Sequence, residues 1–157
     1  MKQILIVLAL ATSFSAYAAK GGIGSIFAGL IGTAVGGAAG KAIATPQTVE
    51  KALVTMTNQL NQRLPMAVDA ETRWDTTTAG QGKRFTYNYT IISATSRDFD
   101  KRAFPLFFQK IKADVCSSPD MVIFFKNGVT VGYSYSASDG VFLSKLDITP
   151  KDCGYAT

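Results

Sequence analysis

The side chains that could do chemistry in this chain are few: Cys116 and Cys153, the acids Asp69 and Glu71, and Ser144 beside Lys145. A redox dithiol wants closely spaced cysteines and a polarised thiolate. An isolated pair in an oxidising compartment forms a disulfide instead, and closing the loop between these two contributes about 4 kcal/mol in the chain-entropy model. Asp69 and Glu71 stand at i, i+2, which on a strand places them on one face, suited to a cation or a shared proton; the plainer reading is two solvated acids at a strand edge. Ser144 and Lys145 are neighbours on an expected strand and point to opposite faces, so they make no nucleophile–base dyad. Gly80-Gln81-Gly82-Lys83 lacks the spacing and the strand-to-helix context of a phosphate-binding loop. Asp98 and Asp100 read as helix caps. The chain has no histidine, which removes the commonest general base, the commonest zinc ligand and the usual triads. The expectation is a protein that is not an enzyme, with no catalytic residues, no cofactor and no metal.

Binding is the remaining class. Sixteen Lys and Arg face eleven Asp and Glu; the basic residues are scattered, and no run of them reads as a nucleic-acid patch. Tyr87, Tyr89, Tyr133 and Tyr135 alternate on two expected strands and would stack as a ladder. They either support the sheet as cross-strand pairs or form a partly exposed aromatic platform for a peptide or glycan. With Arg73 and Trp74 they make up the candidate binding surface.

Three segments must position these residues. Residues 1–18 read as a signal peptide: Lys2 is followed by the apolar run Ile4 to Ala11 and by Ala16-Tyr17-Ala18, a small-x-small cleavage pattern. Export to the periplasm or outer membrane, or secretion, follows. Residues 19–44 form an apolar segment in which Gly24, Ala28, Gly32, Gly36 and Gly40 recur every fourth position. On a helix that period is a small-residue seam, a glycine zipper, suited to close helix packing in a bilayer or to self-association. A single pass, an interfacial helix or a helix hairpin in an oligomer fits the segment, and so does a flexible Gly/Ala linker.

Residues 45–157 form the globular domain. Thr45 and Pro46 open a helix with Val49, Leu53, Met56, Leu60 and Leu64 on one stripe, stopped by Pro65. Met66 to Thr78 and Lys83 to Ala94 read as a β-hairpin. A second helix over Arg97 to Cys116 carries Phe104, Phe107, Phe108, Ile111 and Val115 as its apolar stripe. Pro119 to Lys126 reads as a short helix closed by Asn127-Gly128, although Met121 to Phe125 would also suit a strand. Val129 to Ser136 and Val141 to Thr149 form a second hairpin. The order α-β-β-α-α-β-β predicts an α+β fold: a four-stranded antiparallel sheet with two or three helices on one face.

The stretches Leu64-Pro65-Met66, Val68-Asp69, Thr72-Arg73, Phe85 to Thr90, Val115-Cys116, Asn127 to Thr130, Tyr133 to Tyr135, Asp139-Gly140 and Asp152-Cys153-Gly154 together resemble a family of uncharacterised exported bacterial proteins. More loosely, the helix–hairpin–helix–hairpin order with a late disulfide is similar to the α/β pilotins of type II secretion. Pilotins carry a lipidated cysteine after the signal; here the zipper segment stands in that place. The four-residue small-residue period beside a domain without catalytic side chains points to a non-enzymatic envelope protein, held by its zipper to a membrane or to copies of itself, whose domain binds another envelope protein; the pilotin likeness adds an assembly factor as one form of it. The alternative is a secreted antagonist or immunity-type inhibitor of a periplasmic hydrolase or toxin.

Overall fold

The computed structural model describes residues 22–34 and 45–156. The signal peptide, Gly36 and Gly40 lie outside them. Helix α1 spans Ile23–Ala34 and α2 spans Pro46–Asn61; β1 (Met66–Ala67), β2 (Thr72–Gly80) and β3 (Arg84–Ile91) follow. Two 3-10 turns lead into α3 (Phe104–Ser117), then come α4 (Pro119–Lys126), β4 (Thr130–Ala137), β5 (Phe142–Ile148) and a closing 3-10 turn, Pro150–Cys153.

Helix α2 forms for the reasons its sequence states. The Thr48 amide donates to Thr45 Oγ1 at 3.2 Å, and Pro46 takes the first position, where a missing N–H costs nothing. Val49, Leu53, Met56 and Leu60 are buried as one stripe against β2. The polar end of that stripe is a clamp. Asn61 Oδ1 accepts from the Thr77 amide at 2.7 Å and from the Thr77 hydroxyl at 3.0 Å, while Asn61 Nδ2 donates to the Thr77 carbonyl at 3.0 Å. The β2–β3 register shifts at a bulge between Trp74 and Thr76, just before this clamp. At the other end, Glu50 Oε1 accepts from the Gly82 amide at 2.8 Å, fixing the β2–β3 turn, where Gly82 and Lys83 both have positive φ.

The sheet differs from the expected four antiparallel strands. It has five strands in the order β1-β2-β3-β4-β5, and its central pair is parallel: Phe85 is level with Val131, Tyr87 with Tyr133 and Tyr89 with Tyr135. The connection from β3 to β4 contains α3 and α4, long enough to carry the chain back across the sheet before β4 begins, as a parallel pair requires. The extra strand comes from a bend within the expected first strand. Asp69 Oδ1 accepts from the amides of Glu71 and Thr72 at 2.8 and 2.7 Å, folding β1 back on β2.

Helix α4 is helical, not a strand, and buries Met121, Phe124 and Phe125. Pro105 sits in the first turn of α3, so it neither kinks nor breaks the helix. Cys116, near the end of α3, is bonded to Cys153 in the closing turn. All helices lie on the face of the sheet that carries Phe85, Tyr87, Tyr133 and Ile148; the opposite face is lined by Thr, Ser, Asn and charged side chains.

Candidate partner-binding face

The tyrosine ladder exists, but it is core. The rings of Tyr87 and Tyr133 stack at 5.2 Å across the parallel pair, and those of Tyr89 and Tyr135 at 5.6 Å. All four are at most 7% exposed, as is Trp74. The exposed-platform reading is therefore corrected: strand alternation puts all four tyrosines on the face that the helices cover. Burial pushes the four hydroxyls above the ordinary tyrosine range. Trp74 tilts against Tyr87 at 5.4 Å, and its indole N–H donates to the Thr76 carbonyl at 3.1 Å. Only Arg73 of the candidate surface reaches solvent, on the opposite sheet face, where it pairs with Asp75; the Thr90 hydroxyl donates to the same carboxylate.

The acids that could have formed a catalytic pair are placed elsewhere. Asp69 holds the β1–β2 turn rather than facing Glu71 from a strand. Lys145 pairs with Asp147 at 3.0 Å, away from Ser144. Asp98 caps a 3-10 turn by accepting from the Thr95 amide and hydroxyl, and Asp100 accepts from the Arg102 amide; these hydrogen bonds hold both carboxyls below their usual range. Among the described residues no cluster of His, Cys, Asp and Glu could hold a metal ion.

An open apolar surface lies on α3. Sequence periodicity predicts Phe104, Phe107, Phe108, Ile111 and Val115 as a buried stripe, yet Val115 is the one buried residue of the helix. Phe104, Phe107, Phe108 and Ile111 are half-buried, and Leu106 is 73% exposed. Phe107 meets Tyr135 edge-on at 5.5 Å, Phe104 lies 5.6 Å from Phe108, and Phe99 extends the row at 6.4 Å from Phe104. The aromatic row thus starts on the core and runs outward along one edge of the helix. Its far end is pinned. The disulfide holds Cys116, and Lys112 Nζ donates to Asp152 Oδ1 at 2.6 Å. Lys112 and the Thr149 hydroxyl and amide hold the Asp152 carboxyl well below the usual carboxylate range. A helix anchored at its C-terminal half and aromatic along its N-terminal half offers rigid, preorganised apolar area.

Among the described residues the zipper positions do not share one environment. Gly24 is buried against α4, whereas Ala28 and Gly32 face solvent. What α1 buries is Ile23 and Phe27, the latter stacked on Phe124 at 4.5 Å. Its twelve residues fall short of a bilayer, and among the described residues no helix is long and apolar enough to cross a membrane. Ile23 and Phe27 of α1 are buried in the domain core, and the remainder of the expected membrane segment, residues 35–44, lies outside the described residues.

No family model matches the chain, and no curated protein matches it. Two solved structures share the fold. A protein of Pseudomonas aeruginosa thought to be secreted superposes with a TM-score of 0.60 at 12% identity, covering 69% of this chain and 95% of its own. The type II secretion system pilotin AspS from Vibrio cholerae superposes with a TM-score of 0.54 at 13% identity, covering 69% of this chain and 94% of its own. At such identities the likeness is one of architecture: the chain has the α+β fold that an exported protein and a pilotin also use.

Proposed function

We propose that this is a non-enzymatic protein of the bacterial cell envelope whose disulfide-closed domain binds another envelope protein through the aromatic edge of α3, in the manner of a pilotin-like assembly factor. The half-open row from Phe99 to Phe108 carries the reading. Aromatic side chains already ordered by stacking lose little further freedom on binding, so the area they bury is retained as affinity. Support comes from the signal-peptide pattern at the start of the chain, from the lack of histidine, and from the use of the same fold by AspS.

A photo-crosslinking side chain at Leu106, introduced in the full chain in intact cells, tests the reading. One envelope protein captured from position 106, and not from Val54, which is exposed on α2, is the expected result. An equal yield from both positions, or capture unaffected by Phe104→Ala and Phe108→Ala in a chain that still folds, counts against it.

A further inference from the structure

We propose that β5 pairs edge to edge with the β5 of a second copy of this chain, antiparallel and centred on Leu146, so that two five-stranded sheets become one. This pairing does not use the aromatic row of α3 and stands apart from the protein-binding reading above.

The two edges of the sheet are finished differently. On the β2 side, β1 covers Trp74 and Arg73. Further along, the Asn61 side chain stands where a neighbouring strand would: it accepts from the Thr77 N–H at 2.7 Å and donates to the Thr77 carbonyl at 3.0 Å. That edge has little left to offer. On the other side β5 is the last strand in the order, seven residues from Phe142 to Ile148. Among the described residues, the N–H and C=O groups of β5 that point away from β4 take no hydrogen bond. A row of open main-chain donors and acceptors is completed by another extended backbone.

The side chains select which backbone. Lys145 and Asp147 are exposed on the open sheet face, and half-buried Leu146 lies between them on the helix-covered face, level with Tyr133. A lysine on an edge strand ordinarily repels an added strand. Here an antiparallel copy centred on Leu146 sets Lys145 opposite Asp147 of the second copy, and the twofold axis repeats the pair the other way round. Leu146 then meets its own equivalent on the covered face, which extends the apolar layer across the axis. Moving the centre to Lys145 or to Asp147 would set that charge opposite itself, so the neighbouring registers are disfavoured. The charges are already aligned for this. Lys145 Nζ donates to Asp147 Oδ1 at 3.0 Å, and Arg84 lies 3.6 Å from Asp147 Oδ2, both on the open face. Val141 and Phe142, 48% and 58% exposed, stand at the start of the strand, where the pairing brings them beside the far end of the other β5. Read backwards, the charge pattern of β5 is its own complement, which is why the occupant is a second copy.

Sedimentation equilibrium of the full mature chain tests the proposal. The wild type should show a monomer–dimer equilibrium. Lys145→Glu sets two acids opposite each other on both sides of the axis and should weaken the dimer about tenfold. Adding Asp147→Lys to that variant restores opposite charges across the axis and should return the affinity to within about threefold of the wild type. Hydrogen exchange on the wild type needs no variant to fold: the β5 amides that face away from β4 should exchange about tenfold more slowly as the protein concentration rises, while those of β2 stay unchanged. A monomer at every concentration would overturn the proposal. So would a dimer unmoved by Lys145→Glu, which would place the contact elsewhere, the glycine period included, or a double variant as weak as the single one.

Discussion

Gly24 and Gly32 belong to the same four-residue repeat, and the fold assigns them opposite roles, so substituting each by alanine separates the docked helix from the zipper. Alanine in a helix interior is worth up to about 1 kcal/mol over glycine. At Gly32 nothing lies within 4 Å of the new Cβ, so Gly32→Ala should retain that gain and stabilise α1. At Gly24 the Cβ would lie 2.4 Å from the carbonyl oxygen and 2.9 Å from the Cα of Asp120. Those are backbone atoms at the start of α4, held by Met121 and Phe124, which are 2% and 0% exposed. It is α1 that must give way, loosening Phe27 from Phe124; overpacking of this kind costs about 1–3 kcal/mol. Set against the propensity gain, Gly24→Ala should be destabilising by about 1 kcal/mol, so the two variants differ by about 2 kcal/mol, or roughly thirtyfold in the opening equilibrium of α1. Hydrogen exchange of the α1 amides reads this directly, and size-exclusion chromatography reads the zipper alternative. Equal responses from the two variants, or an oligomer changed by Gly32→Ala, would refute the docking argument.

Three further outcomes are expected. Asn61→Ala strips the buried Thr77 of the three hydrogen bonds it makes with that side chain, and urea unfolding should show a loss of about 2–4 kcal/mol, a smaller one for Asn61→Asp, which keeps the acceptor. Replacing Cys116 and Cys153 by serine should cost about 4 kcal/mol in the chain-entropy model, read as a lower urea midpoint; a shift no larger than that of a surface substitution would mean that the bridge adds nothing. The Asp152 carboxyl has a folded-state pKa below its unfolded value near 3.9, so its contribution is present above about pH 4 and is lost as the pH falls through the folded-state value. Stability measured from pH 6 down to pH 2 should therefore fall less steeply in Asp152→Asn and in Lys112→Gln than in the wild type, and an unchanged slope in both would contradict the assigned cause.

Much of the secondary structure could be read from the residues because each element carries a local reason. Thr45-Pro46 announces α2, and Ser118-Pro119-Asp120 opens α4. The alternation of Phe85, Tyr87, Tyr89 and Ile91 marks β3, and that of Val131, Tyr133 and Tyr135 marks β4. Strand direction could not be read this way. Period-two alternation is the same whichever way a strand runs, so β3 and β4 look identical in antiparallel and parallel pairing. What decides is the length of the crossover through α3 and α4, a property of the whole connection. The bend at Asp69 was missed for a related reason: Val68-Asp69-Ala70-Glu71 interrupts the apolar pattern so briefly that β1 and β2 read as one strand.

The candidate site was less legible, because exposure belongs to layers and not to sequence. Two of the four faces offered by the two hairpins alternate with tyrosine, and nothing in the spacing says which face the helices cover; the covered one proved to be the aromatic one. The same ambiguity runs the other way in α3, where Phe104, Phe107, Phe108 and Ile111 sit at core spacing but find too little opposite them to be buried. Helix α1, laden with glycine, takes a place in the core beside α4, where the glycine period had suggested a bilayer, self-association or a linker. With Phe27 filling the centre over Phe124 and Phe85, the aromatic surplus of the domain is left at the margin, on the helix that the disulfide pins in place.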